Sequence, residues 1–134
     1  MHLPTRLIAP LLAPILAAAL ALPAGAFITD VRLDISPGPG SDFTVEFDVR
    51  AKLTDYWCAA GNYVTNTMGL PDKTRVYRLS PPPRKQGQGI VFTLDPARSS
   101  GETGITTFGG PQDGSMSAGG AVAQFCYVFD EEFF

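Results

Sequence analysis

Histidine is almost missing from this chain of 134 residues: the only one is His2. It falls inside a segment that reads as an export signal. Arg6 is the single early positive charge, residues 7 to 22 carry none, and Ala24-Gly25-Ala26 forms a small-x-small cleavage site. The exported chain is therefore expected to start at Phe27, without histidine. That excludes Ser-His-Asp and Cys-His catalysis, an imidazole general base and a histidine-bound zinc. A second long apolar run is also missing. The first one spans residues 7 to 22, is interrupted by Pro10 and Pro14, and falls short of the roughly 20 residues a spanning helix needs. The residue directly after the cleavage site is Phe27 and not cysteine, which argues against a lipid anchor. The expectation is a cleaved signal over 1–26, a single small domain over 27–134, no stable membrane insertion after cleavage, and a periplasmic or secreted location.

Cysteine is scarce as well, with only Cys58 and Cys126. In an oxidising compartment such a pair reads as one intramolecular disulfide, and two thiols alone cannot complete a structural metal site. Charge is low and mildly acidic: 10 Lys and Arg face 13 Asp and Glu, and only Arg6 leaves with the signal. A net negative chain is a poor nucleic-acid binder. The charges are unevenly placed, with Lys73, Arg75, Arg78, Arg84 and Lys85 close together and Asp130, Glu131 and Glu132 at the C-terminus. The plain reading is two solvated patches.

What is present is strand pattern, one helical stripe and turn chemistry. Residues 43 to 53 alternate, with Phe43, Val45, Phe47, Val49, Ala51 and Leu53 on one face, and predict a half-buried strand. Val31, Leu33 and Ile35 repeat the pattern over 28 to 35, and the Pro/Gly-rich stretch 36 to 42 joins the two into a hairpin. Asp30, Asp34, Glu46 and Asp48 on the outer face could suggest a carboxylate pair of the kind glycoside hydrolases use. Their alternation with Arg32, Arg50 and Lys52 reads instead as cross-strand ion pairing.

A helix is predicted next, capped by Thr54 or Asp55, with Trp57, Ala60, Gly61, Val64 and Met68 as its buried stripe and Gly69 and Pro71 as its stop. Residues 74–80 and 89–95 read as two further strands. Between 96 and 120 the chain is rich in Gly, Ser and Thr, and a short edge strand is expected over Gly104 to Phe108. No lysine follows these glycines as a phosphate loop requires, and no serine sits in a nucleophile elbow. From Ser117 to Cys126 the spacing of Ala118, Ala121, Val122, Phe125 and Cys126 favours a helix, while Phe125 to Phe129 are good β-formers. The expected architecture is α+β: an antiparallel sheet of four to five strands with a short helix packed on one face and one disulfide.

The run Tyr56-Trp57-Cys58-Ala59-Ala60-Gly61-Asn62-Tyr63, with Gly89 to Leu94 and Phe125-Cys126, resembles small exported proteins of Gram-negative bacteria to which no activity is attached. The resemblance covers most of the expected mature chain. It implies export and carries no chemistry with it.

Candidate function comes down to one loop. Pro81-Pro82-Pro83 followed by Arg84-Lys85-Gln86-Gly87-Gln88 predicts a proline-stiffened stalk that holds Arg84 and Lys85 out as partner-binding residues. The class expected is a non-catalytic binding or inhibitor-like module acting on a protein or envelope component. A structural accessory domain and a carboxylate-only hydrolase are the alternatives. No cofactor, metal or nucleic acid is expected, and nothing in the sequence bears on oligomeric state.

Overall fold

The computed structural model describes residues 26–28, 32–106 and 110–129. The signal segment up to residue 25, Asp30, Val31, Thr107, Phe108 and the acidic residues 130 to 132 lie outside that range. Chain order is β1 (Ala26–Ile28), β2 (Ile35–Pro37), β3 (Phe43–Val45), α1 (Leu53–Asn62), β4 (Arg75–Arg78), β5 (Ile90–Thr93), β6 (Ser115–Ser117), α2 (Ala118–Phe125) and β7 (Tyr127–Phe129). Five strands form one antiparallel sheet in the spatial order β2-β3-β5-β4-β6, and β1 pairs with β7 in a separate ribbon. The fold is α+β, as the pattern predicts.

The inner face of the sheet is set by period-2 alternation. Phe43 and Val45 stand opposite Phe92 and Ile90, and Val76 stands opposite Met116, all buried. α1 lies across them, with Tyr56, Trp57 and Ala60 wholly buried and Val64 joining from the turn that follows. The Trp57 ring meets Phe92 edge-on at 4.9 Å, and Phe43 packs on Tyr63 at 4.6 Å between ring centroids. A helix stripe on an apolar sheet face is what the residue spacing requires.

Three predicted elements are corrected. The strand expected over 28 to 35 begins only at Ile35 in its described part, and it continues through Ser36 and Pro37, expected in the turn, because these pair with Thr44 and Phe43. The strand expected over 43–53 stops at Val45 because the backbone turns: Arg50 N–H donates to the Asp48 carboxylate at 2.8 Å, and Ala51 N–H donates to the Asp48 carbonyl at 3.0 Å. An Asp that binds its own downstream backbone competes with the ladder. Phe47 and Val49, expected inward, are instead 40% and 84% exposed. The edge strand expected from Gly104 is not formed in its described part. Gly104 sits at φ +84°, outside any strand geometry, and the fifth strand is β6, whose Met116 fills the place beside Val76.

α1 starts earlier than expected. Lys52 is the capping residue, and the Asp55 carboxylate accepts its N–H at 2.8 Å. The helix ends in a π-helical turn over Tyr63–Thr67, where Met68 N–H reaches the Tyr63 carbonyl. Thr65 Oγ1 donates to the Gly61 carbonyl at 3.0 Å, a back-bond that competes with the α-helical ladder. Gly69 at φ +69° then stops the chain as predicted.

The C-terminal segment is both helix and strand. Ser117 Oγ accepts Gly120 N–H at 3.0 Å and starts α2, and the β-formers after Cys126 make β7. α1 and α2 pack closely where Gly61 faces α2. A Cβ at Gly61 would lie 2.6 Å from the Ala118 carbonyl oxygen and 3.0 Å from Ala121 Cβ, so only glycine fits. Gly61→Ala should cost about 1–3 kcal/mol, by the overpacking it forces between two helices. A denaturant midpoint equal to wild type would show that α2 yields without cost.

Candidate functional site

Of the four acids expected on the outer face, Asp30 lies outside the described residues, and Asp34, Glu46 and Asp48 have separate surroundings. Asp48 is paired with Arg50 in its own turn at 2.9 Å, not across strands, and the Arg50 hydrogen bonds hold its carboxyl at about 2. Glu46 accepts from Ser36 Oγ at 2.8 Å, and Asp34 is exposed. Asp42 and Asp95 share a small hollow with Arg98, but each serves the backbone or an ion pair. Asp42 meets Arg98 at 2.6 Å, its pKa lowered first by the Thr93 hydroxyl and then by that arginine, while Asp95 accepts from Ala97 N–H at 2.9 Å. An ionised, paired acid is the wrong state for a general acid. Ser115 is buried, accepts from Arg75 at 2.9 Å and donates to Asp113, so its hydroxyl is spent in a network. Among the described residues no group of three or more His, Cys, Asp or Glu side chains could hold a metal ion.

The basic cluster divides into different environments. Lys85 is exposed. Arg84 is not held out on a stalk: its guanidinium lies over the Tyr56 ring at 4.8 Å and the Phe47 ring at 5.6 Å, and Nη1 donates to the Gln88 carbonyl at 3.1 Å. The physical reason is the flat π face that α1 offers beneath the loop, which attracts a guanidinium more than water does once Tyr56 is otherwise buried. The proline-rich segment thus folds Arg84 onto the body and leaves Lys85 in solvent.

Arg78 is the residue that sequence reading placed wrongly among the solvated charges. It stands opposite Phe92 on the inner face of the sheet and is 1% exposed. Nε donates to the Ser80 carbonyl at 2.7 Å and Nη1 to the Thr103 carbonyl at 3.1 Å; Nη2 makes no hydrogen bond among the described residues. Among the described residues no carboxylate forms an ion pair with it. Glu102 acts on it only through space, while burial and the neighbouring Arg84 pull its pKa down from the usual guanidinium value. A buried charge without a counterion costs several kcal/mol, of which two bonds to carbonyls return about 1.5–3 each. The available signal was the alternation Val76, Arg78 against Arg75, Tyr77. One apolar residue on each face cannot say which face is inside.

Arg78 borders a cleft of about 530 Å³, lined also by Leu53, Pro82, Pro83, Arg84, Glu102 and Gly104. A second hollow of about 340 Å³ under the 101–106 segment shares Pro82, Glu102 and Gly104 with it. The two arginines make this a cationic concavity, and Glu102 is the one acid among its described lining residues. Two guanidinium groups in one concavity can hold an anion. Behind the cleft, the Thr103 carbonyl accepts from both Arg78 Nη1 and Trp57 Nε1, at 3.1 and 3.2 Å. This links the cleft directly to the core. No family model, curated protein or solved structure matches the chain, so what the cleft can do rests on its own geometry.

Proposed function

We propose that the protein is an exported, non-catalytic binding module that holds an acidic protein surface on the face carrying Arg84 and Lys85. One observation carries this reading. Phe47, which its alternation would have buried, is exposed beneath the Arg84 guanidinium, with Lys85 next to it in the chain, and Val49, two residues on, is exposed as well. Exposed apolar side chains rimmed by cations suit a partner that covers the apolar pair and matches the charge. The rival structural reading needs no such patch. Export is supported by the signal-like segment and by the Cys58–Cys126 disulfide, which belongs to an oxidising compartment. Among the described residues no helix is long and apolar enough to cross a membrane.

Two measurements test this. Intact mass of the exported protein should correspond to a chain starting at Phe27, and full-length chain recovered from the membrane fraction would overturn that start. Affinity capture should then recover a partner with the wild-type domain and lose it with Arg84→Ser/Lys85→Ser, the loss being steeper at low salt than at moderate salt. A partner retained undiminished by the double variant at both salt concentrations removes this face as the site.

A further inference from the structure

We propose that the cleft between the proline segment and the 101–104 loop is a receptor for the C-terminal carboxylate of a peptide that ends in an apolar residue. The inference deepens the binding reading above, since Arg84 belongs to both the exposed face and the cleft. Three observations carry it. Among the described residues Arg78 is buried with no ion-pair partner and no hydrogen bond from its Nη2. Arg84 lines the same cleft, with its guanidinium plane fixed by the Tyr56 ring. Leu53, Pro82 and Pro83 supply an apolar wall beside the two cations. A chain end with an apolar last residue offers a carboxylate and a hydrocarbon side chain on one carbon atom, which matches this juxtaposition. An Asp or Glu side chain offers only the charge, and an inorganic anion has no use for the wall. A guanidinium already held in place loses little freedom when it binds a carboxylate, so the site is preorganised.

Glu102 is the acid of the cleft and acts on Arg78 through space. It partly occupies the cationic field that an incoming carboxylate would use, and so it should weaken binding.

The protein reports on this cleft by itself. Trp57 is the only tryptophan, and its indole N–H shares the Thr103 carbonyl with Arg78. A ligand that draws on Arg78 must move that one indole resonance. The test is an NMR titration of the oxidised domain with N-acetyl-leucine at constant ionic strength, alongside N-acetyl-leucinamide, acetate and inorganic phosphate. N-acetyl-leucine should give a saturable indole N–H shift, roughly in the low-millimolar range for so small a ligand. The amide lacks the charge and acetate lacks the side chain, so both should bind about tenfold more weakly or not at all. Arg84→Gln should weaken binding about tenfold, and Glu102→Gln, which removes the competing carboxylate, should strengthen it. Glu102 is exposed and Arg84 is half-buried over Tyr56, and circular dichroism checks that both variants keep the fold.

Phosphate or acetate binding as well as N-acetyl-leucine, or no saturable shift with any probe, overturns the proposal. So does Glu102→Gln leaving the affinity unchanged. If capture through Arg84 and Lys85 succeeds while N-acetyl-leucine fails, the binding face stands and the carboxylate receptor falls. The converse result keeps the receptor and removes the acidic protein surface as its partner.

Discussion

Replacing Trp57 with alanine should destabilise the domain by about 3–5 kcal/mol, the range expected for emptying a large aromatic site in a packed core. Trp57 is wholly buried on the α1 face, against the inner residues of the sheet, with the Phe92 ring 4.9 Å away. Three losses combine: the apolar area of the indole, the edge-to-face contact, and the hydrogen bond to Thr103. The third loss is separable. Trp57→Phe keeps most of the volume but leaves Thr103 with Arg78 as its remaining donor, and should cost about 1 kcal/mol for the bond in addition to a small repacking term. Denaturant unfolding followed by circular dichroism measures both variants. A Trp57→Ala midpoint at the wild-type value would mean that this ring is not part of the core.

Opening the Cys58–Cys126 bridge should be nearly as costly. It joins α1 to the end of α2 across a sequence separation of 68, and restricting a loop of that length in the unfolded chain is worth about 4 kcal/mol. Cys58→Ala/Cys126→Ala should therefore lower the melting temperature by more than about 10 °C, a large share of the stability of a domain of this size. Both sulfurs also accept weakly from Asn62 Nδ2, at 3.7 and 3.3 Å, so the bridge is built into the helix junction. Gly61 brings α1 against α2 at the same junction, so close packing and the bridge act on one helix pair. A double variant that melts with wild type would assign the helix pairing to packing alone. Non-reducing peptide mapping of the native protein gives the bond directly.

Local order was legible wherever a pattern was both periodic and supported by its neighbours. The α1 stripe, the stop at Gly69, the strands around Val76 and Phe92 and the start of α2 at Ser117 could all be read in advance, and the β2–β3 hairpin could be read in its existence but not in its residues. In each, side-chain period, cap and turn residues agree, and agreement across levels is what specifies structure. The alternation past Val45 misled because a local interaction, Asp48 binding the Arg50 backbone, defeats the ladder that the apolar residues would have joined.

The sequence by itself determined the α+β class, the single possible disulfide, the absence of histidine chemistry from any chain starting at Phe27 and the helix that carries the core. Tertiary structure alone decided the candidate site. Arg78 and Arg84 are both basic residues of one short stretch, and nothing local distinguishes them from Lys85. Only the sheet order places Arg78 on the inner face opposite Phe92, and only the packing of the proline segment on Tyr56 lays Arg84 beside the same cleft. The burial of a charge is set by what the rest of the chain stacks over it, through contacts between residues distant in sequence. Such contacts leave no period in the residues they join.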